Sequence, residues 1–204
     1  MRKTLLLLSV FWLSWLPAAA QAASTVLVFG DSLSAGYGIA RQDAWPSLLE
    51  TRLKDSGYSH AVVNASISGE TTAGGRSRLP AALQQHRPKV VVIELGANDG
   101  LRGLPIAAMR DNLEAMIKTS QQAGARVLLI GMRIPPNYGR DYTEKFAATF
   151  SELAQAHKTA LVPFLFEGFA LRTDAFQADR LHPTAASQPL MLDTIWKQLK
   201  PLLR

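Results

Sequence analysis

Ser32 follows the first apolar run of the chain at a position where a hydroxyl group can face a cleft. It stands two residues beyond Gly30, and a glycine permits the tight turn that would expose the serine side chain. A serine hydroxyl becomes a nucleophile once a neighbouring base removes its proton. The alternative is a helix N-cap, a position that serine commonly occupies. Ser34, Ser66 and Ser68 also follow predicted strands, so this pattern alone leaves the choice of serine open.

A candidate base and its carboxylate lie near the end of the chain. Asp179 precedes His182 by three residues, and this spacing lets the carboxylate fold back onto the imidazole ring within one turn. Such a carboxylate fixes the histidine tautomer and stabilises the imidazolium. Pro183 restricts the backbone of His182 and keeps it out of the following helix. The alternative is a solvated turn in which Asp179 or Thr184 caps the last helix.

Two further groups could stabilise a negative charge on a reacting carbonyl oxygen. Asn98 follows the third predicted strand and offers a side-chain N–H to a developing oxyanion. Gly69 follows the second predicted strand and allows a backbone N–H to approach a ligand closely. Taken separately, both are also ordinary turn residues.

The elements that must position these groups alternate along the chain. Five short apolar runs read as buried parallel strands: Val26–Phe29, Ala61–Val63, Val90–Leu95, Val127–Ile130 and Leu161–Leu165. Amphipathic helical patterns separate and follow them, with the weakest over 71–86, where Gly74, Gly75 and Pro80 interrupt the pattern. The alternation predicts one three-layer α/β domain of the flavodoxin-like type. Its five-stranded parallel sheet has the strand order 2-1-3-4-5 and helices on both faces.

This topology separates the histidines. Ligands bind at the carboxyl ends of the strands, and only His182 follows a strand. His60, His86 and His157 each precede a strand and are expected at the opposite edge.

The four groups occur in order beyond four different strands, and together they resemble the four sequence blocks of the SGNH (GDSL) hydrolases. The resemblance spans the mature chain and includes the run Pro135-Pro136-Asn137-Tyr138-Gly139, as in the bacterial thioesterase I branch. The blocks themselves are Gly30-Asp31-Ser32-Leu33, Gly69, Gly96-Ala97-Asn98-Asp99 and Asp179-Arg180-Leu181-His182-Pro183. Two departures are small: Ala97 replaces a frequent second glycine, and Arg180-Leu181 is bulkier than the usual pair.

The resemblance implies roles for these residues. Ser32 would be the nucleophile, His182 the base and acid, and Asp179 its orienting partner. The oxyanion donors would be the Ser32 and Gly69 backbone N–H groups and the Asn98 side chain. It also implies hydrolysis of acyl esters and thioesters, including aryl esters and lysophospholipids, with neither a metal nor a cofactor.

Apolar residues on the same edge predict a fatty-acyl groove. These candidates are Leu33, Leu101, Leu104, Ile134, Pro135 and Tyr138. Gly100 and Gly103 flank Leu101 and Arg102, so we expect this loop to hinge over a bound chain. The alternative is that these side chains only cap the core.

The first 22 residues predict a secretory signal peptide, with the domain at 23–204. Two basic residues precede the 12-residue apolar run Leu5–Leu16, and Ala20 and Ala22 provide a cleavage signal. We therefore expect export to the periplasm or the medium. Removing residues 1–22 takes two basic and no acidic residues from a net charge of +6, which leaves +4.

Composition excludes several classes of protein. The chain has no Cys, so disulfides, zinc–thiolate sites and cysteine nucleophiles are absent. The scattered basic residues form no nucleic-acid-binding module, although a weak attraction to anionic lipid surfaces stays compatible with them. We expect a monomer.

Two alternative functions are compatible with the fold. A carbohydrate O-acetyl esterase would use the same blocks, but Trp45 and Trp196, the mature chain's two candidates for sugar stacking, lie in amphipathic helical patterns. A flavodoxin-like binding protein would explain the fold but would leave the Asp179–His182 pair and Asn98 without a role.

Overall fold

The computed structural model describes residues 24–204, so the predicted signal peptide at 1–22 lies outside the described residues. The five strands are β1 (Thr25–Gly30), β2 (Ala61–Asn64), β3 (Val90–Glu94), β4 (Arg126–Ile130) and β5 (Ala160–Val162). The α-helices are α1 (Ser32–Ala35), α2 (Trp45–Asp55), α3 (Thr72–His86), α4 (Ala97–Leu101), α5 (Ile106–Gln122), α6 (Arg140–His157) and α7 (Gln188–Leu199). No helix among these residues is long and apolar enough to cross a membrane.

The sheet is parallel throughout, in the order β2-β1-β3-β4-β5, which confirms the predicted topology. On one face of the sheet, α3 packs against α5 and α5 packs against α6. On the other face, α2 packs against α7. The sheet lies between these two helical layers. The chain reverses its direction of winding between β1 and β3, and the segments after these strands meet at that switch point.

The strands are buried because their sequences are apolar on both faces. Val26–Phe29 of β1 and Val90–Ile93 of β3 are fully inaccessible to solvent. Burying one such side chain stabilises the fold by about 1.5–3 kcal/mol relative to leaving it exposed. This central pair of strands is therefore a rigid base for the loops at its carboxyl ends.

Two elements differ from the sequence prediction. Helix α3 runs without a break through Gly74, Gly75 and Pro80. The absence of a side chain at Gly75 lets α3 pack closely against Leu95, since a Cβ at this position would collide with the Leu95 side chain. Strand β5 ends at Val162 rather than Leu165, because Pro163 has no N–H to extend the ladder.

Candidate active site

Ser32 begins the short helix α1 immediately after β1, and its hydroxyl is not used as a helix cap. The cap is Asp31, whose Oδ1 accepts the Leu33 N–H at 3.0 Å. Ser32 Oγ instead lies 2.9 Å from His182 Nε2. The interpretation of Ser32 as an N-cap is therefore wrong, and the hydroxyl faces a base.

His182 is held by Asp179 in the way that the three-residue spacing predicts. Asp179 Oδ2 lies 2.7 Å from His182 Nδ1. The other oxygen, Oδ1, accepts the backbone N–H groups of Leu181 at 2.9 Å and His182 at 3.0 Å. These hydrogen bonds lower the pKa of Asp179 to about 2, so the carboxylate is ionised at neutral pH. An ionised Asp179 favours the tautomer with a proton on Nδ1, which leaves Nε2 free to accept one from Ser32.

The remaining histidines take no part in this arrangement. His60 packs against the ring of Tyr58, and His157 Nε2 lies 3.2 Å from Glu114. His86 ends α3 before β3. As predicted, all three precede strands, and His182 alone reaches Ser32. The sequence reasoning missed Tyr37, whose ring centroid lies 4.5 Å from that of His182.

Asn98 lies in α4 beside the Ser32 turn. Its Nδ2 donates to Asp31 Oδ2 at 3.1 Å and to the Glu70 carbonyl at 3.0 Å. Both amide hydrogens are thus engaged, and an oxyanion would have to share one of them. The two acceptors also fix which end of the amide is nitrogen.

The two backbone donors predicted for an oxyanion are free. Within residues 24–204, the N–H groups of Ser32 and Gly69 donate to no other protein group. Gly69 has φ +79°, a left-handed conformation that favours glycine. Its carbonyl accepts Arg102 Nη2 at 2.9 Å, which ties this loop to the one after β3.

Two buried acidic side chains, Asp31 and Glu94, lie beneath the Ser32 turn. Both are inaccessible to solvent. Burial raises the pKa of Asp31 to about 6, and it also raises that of Glu94 well above its ordinary value, with the charge of Asp31 as a second cause. Sequence reasoning gave Glu94 no role, although an acidic residue ending an otherwise apolar buried strand was a usable signal.

A cavity of about 830 Å³ opens beside Ser32 and His182. Four of the predicted groove residues line it: Leu33, Leu101, Ile134 and Pro135. Its wall also contains four phenylalanines that the sequence reasoning missed: Phe164, Phe166, Phe169 and Phe176. Their signal was their clustering in the segment after β5, at the same edge of the sheet. The cavity is therefore largely apolar, and apart from the reacting groups and the buried Asp31 its charged lining residues are three arginines and one glutamate: Arg133, Arg172, Arg180 and Glu167.

Leu104 and Tyr138 do not line this cavity, in contrast to the sequence prediction. The Tyr138 hydroxyl donates to the Leu101 carbonyl at 2.8 Å, and Tyr142 donates to the Leu104 carbonyl at the same distance. These bonds tie the end of α4 and the loop after it to the region before and within α6. Gly100 lies within α4 and packs closely, because a Cβ there would lie 2.6 Å from the Phe146 ring, whereas Gly103 has open space around it; the hinge expected between them stays a prediction.

Comparison with known proteins agrees with this geometry. The model of the GDSL-like lipase/acylhydrolase family matches residues 28–188. Esterase TesA of Pseudomonas aeruginosa is 50% identical over 89% of this chain and 90% of that protein. Thioesterase 1/protease 1/lysophospholipase L1 of Escherichia coli is 44% identical over 90% of this chain and 87% of that protein.

Solved structures give the same result. A crystal structure of TesA superposes with a TM-score of 0.86, covering 88% of this chain and 99% of that one. The psychrotrophic esterase EstA from Pseudoalteromonas, in a structure inhibited by monoethylphosphonate, is 41% identical. Its TM-score is 0.84, with 88% of this chain and 98% of that chain covered. The chain accordingly belongs to the GDSL-like lipase/acylhydrolase family of ester-hydrolysing enzymes.

Proposed function

We propose that the protein is a serine esterase and thioesterase in which Ser32 is the nucleophile, His182 the base and Asp179 its orienting carboxylate. The observation that carries the proposal is the continuous contact from Asp179 Oδ2 through the His182 ring to Ser32 Oγ, at 2.7 and 2.9 Å. Ser32 and His182 line a largely apolar cavity whose volume is typical of small-molecule sites.

The reaction follows from these positions. His182 Nε2 takes the Ser32 proton as Oγ attacks the carbonyl carbon, and the carbonyl oxygen becomes an anion. The N–H groups of Ser32 and Gly69 and the amide of Asn98 bind that anion. His182 then returns the proton to the leaving alcohol or thiol, and an acyl group stays on Ser32. In the second half, His182 activates a water molecule that releases the acid and restores the serine.

The substrates proposed are fatty-acyl oxyesters and thioesters, including aryl esters and lysophospholipids. The aromatic and aliphatic wall of the cavity favours an acyl chain, since each methylene buried there contributes about 0.8 kcal/mol. The names of the related proteins, an esterase, an arylesterase and a thioesterase/lysophospholipase, support the same range.

The two alternatives explain less of the molecule. The two tryptophans proposed for sugar stacking by a carbohydrate O-acetyl esterase are not available, because Trp45 is fully buried and Trp196 packs against the core, and the aromatic rings that do line the cavity are apolar phenylalanines. A non-catalytic binding protein would leave the aligned contacts of Ser32, His182 and Asp179 without a purpose.

Export and contact with lipid are further parts of the proposal. The predicted signal peptide supports a periplasmic location, and we expect the mature protein to be a monomer. Leu171, at the cavity mouth, is 98% exposed and is followed by Arg172, with Arg133 and Arg180 on the same rim. Arg172 is paired with Asp174 at 2.9 Å, so Arg133 and Arg180 are the arginines that would accompany Leu171 in a brief contact with an anionic membrane. Leu171→Ser should reduce cosedimentation with phosphatidylglycerol vesicles, and unchanged cosedimentation would argue against this contact.

A panel of p-nitrophenyl and thio esters from acetyl to palmitoyl tests the function. We expect kcat/KM to rise with chain length beyond acetyl, and the Ser32→Ala variant to be inactive on every member. A preference for acetyl that declines steadily would favour the sugar esterase. Activity retained by Ser32→Ala would refute the mechanism.

A further inference from the structure

Glu94 occupies a position in the sheet that is unusual for an acid. It is the last residue of β3 and pairs in register with Gly30, the last residue of β1. A Cβ at Gly30 would lie 2.6 Å from Glu94 Oε2, so the glycine makes the space in which this carboxyl group lies. The acid is thus fitted into the sheet directly below the turn that carries Ser32.

The contacts of Glu94 lead to two parts of the reaction site. Oε2 accepts the Ser34 hydroxyl at 2.7 Å and the Asp31 backbone N–H at 3.3 Å. Both residues belong to the turn around Ser32, so this carboxyl group holds the turn at two points. Asp31 in turn accepts the Asn98 amide at 3.1 Å, which continues the connection to the oxyanion donor.

The environment of Glu94 favours its neutral form. Within the described residues, Oε1 is buried and has no hydrogen-bond partner. A buried carboxylate oxygen without a partner is costly, and the neighbouring negative charge of Asp31 adds to the cost. A neutral Glu94 removes the repulsion between the two acids, so the pair holds at most a single negative charge, and Asp31 stays an acceptor for Asn98.

We propose that Glu94 is a positioning residue for ester hydrolysis, which fixes the Ser32 turn and the Asn98 amide relative to each other through Ser34 and Asp31. This inference rests on the proposed serine mechanism. Glu94 touches neither the substrate nor the reacting atoms, and its influence is on the geometry of the nucleophile and of one oxyanion donor. Loss of that geometry lowers kcat more than it raises KM, because the donor binds most strongly when the carbonyl oxygen is charged.

Two substitutions of Glu94 separate hydrogen bonding from charge. Glu94→Gln keeps an acceptor for Ser34 and Asp31 and a donor in place of the acid proton, so we expect kcat within about threefold of wild type. Glu94→Leu keeps the approximate volume but removes both functions. We expect its kcat to fall about 10- to 100-fold with KM nearly unchanged, less than the loss of roughly 10²–10³ expected on removing the donor itself. Equal losses in both variants, or a loss confined to KM, would overturn the proposal.

A double-mutant cycle with Asn98→Ala tests the connection to the oxyanion donor. If Glu94 acts partly through Asn98, Glu94→Leu should cost less in the Asn98→Ala background than in wild type. Fully additive effects would contradict that part of the proposal.

Ser34→Ala is a smaller change that removes one hydrogen bond to Glu94, and it tests the proposal even if Glu94→Leu does not fold. Its matched control is Ser120→Ala, because both serines are fully buried, but Ser120 donates only to Met116 of its own helix. We expect kcat about three- to tenfold lower for Ser34→Ala and unchanged for Ser120→Ala. Equal effects of the two would refute the role of Glu94.

Rates are expressed per site that reacts with a phosphonate reagent, which corrects for unfolded protein. Absence of phosphonate reaction at Ser32 in the wild type would instead refute the serine mechanism, so the two failures are distinguishable.

Discussion

Two leucines that the sequence assigns to the acyl groove are separated by the structure: Leu101, the last residue of α4, and Leu104, in the loop after it. Leu101 lines the cavity, whereas Leu104 does not. The backbone carbonyl of each accepts a tyrosine hydroxyl at 2.8 Å, from Tyr138 and Tyr142 respectively, but Leu101 packs against the core whereas Leu104 is 37% exposed. Leu101→Ala and Leu104→Ala therefore compare a cavity residue with a nearby residue outside the cavity.

The expected size of the effect follows from the carbon atoms removed. Leucine to alanine deletes three carbons, and a carbon fully buried against the substrate is worth about 0.8 kcal/mol. Because Leu101 also packs against the core, we expect only part of this value, a loss of about 1 kcal/mol or about fivefold in kcat/KM, for an octanoyl ester. The acetyl ester has the shortest acyl chain, so we expect its hydrolysis to be affected least.

The assay is kcat/KM for p-nitrophenyl acetate and octanoate with both variants. We expect the octanoate-to-acetate ratio to fall for Leu101→Ala and to stay constant for Leu104→Ala. If Leu104→Ala lowers the ratio as much as Leu101→Ala, the boundary of the acyl cavity drawn here is wrong.

Three further predictions concern the charged and polar groups of the site. Asn98→Ala should lower kcat by about 10²–10³ with little change in KM, and an unchanged kcat with a raised KM would assign Asn98 to substrate binding instead. The pKa of Asp179, about 2, keeps this carboxylate ionised over the working range, so a rise of kcat/KM with pH should not come from Asp179. His60→Ala should keep that rise, while Asp179→Asn should lower kcat by roughly 10²–10⁴, and a pH profile altered by His60→Ala would contradict the assignment. The pKa of Asp31 is raised from 3.8 to about 6, so the folded state binds this proton more tightly than the unfolded state does, and its contribution to stability is lost as pH rises from about 4 to 6. The free energy of unfolding is measured with urea at pH 4 and pH 6, and its change between the two should be about 1–3 kcal/mol smaller for Asp31→Asn than for wild type. An identical pH dependence would count against a buried, proton-binding Asp31.

The strand order and the edge that carries the site were predictable because both depend on sequence periodicity. Buried parallel strands are short and continuously apolar, and the alternation with helices leaves few topologies. Once the edge at the carboxyl ends of the strands was identified, position along the chain was enough to distinguish His182 from the other histidines. The same logic brought Ser32 and His182 together although they lie 150 residues apart.

Features that depend on packing in three dimensions could not be predicted in this way. The role of Glu94 depends on the register that places it beside Gly30, and a strand sequence does not state its register. Leu101 and Leu104 are equally apolar, so only the course of the loop separates them. The sequence predicted interruptions in helix α3 because Gly and Pro have low helix propensity. Its close packing at Gly75 is a tertiary property that overrides this propensity.

The identity of the nucleophile is the central claim, and covalent labelling tests it most directly. A phosphonate reagent should attach to the Ser32 peptide and abolish hydrolysis in proportion to its incorporation. His182→Ala should slow the labelling, because the hydroxyl then lacks the base that lies 2.9 Å away. Mass-spectrometric mapping of the label to Ser34, Ser66 or Ser68, or full hydrolysis by the labelled protein, would contradict the account.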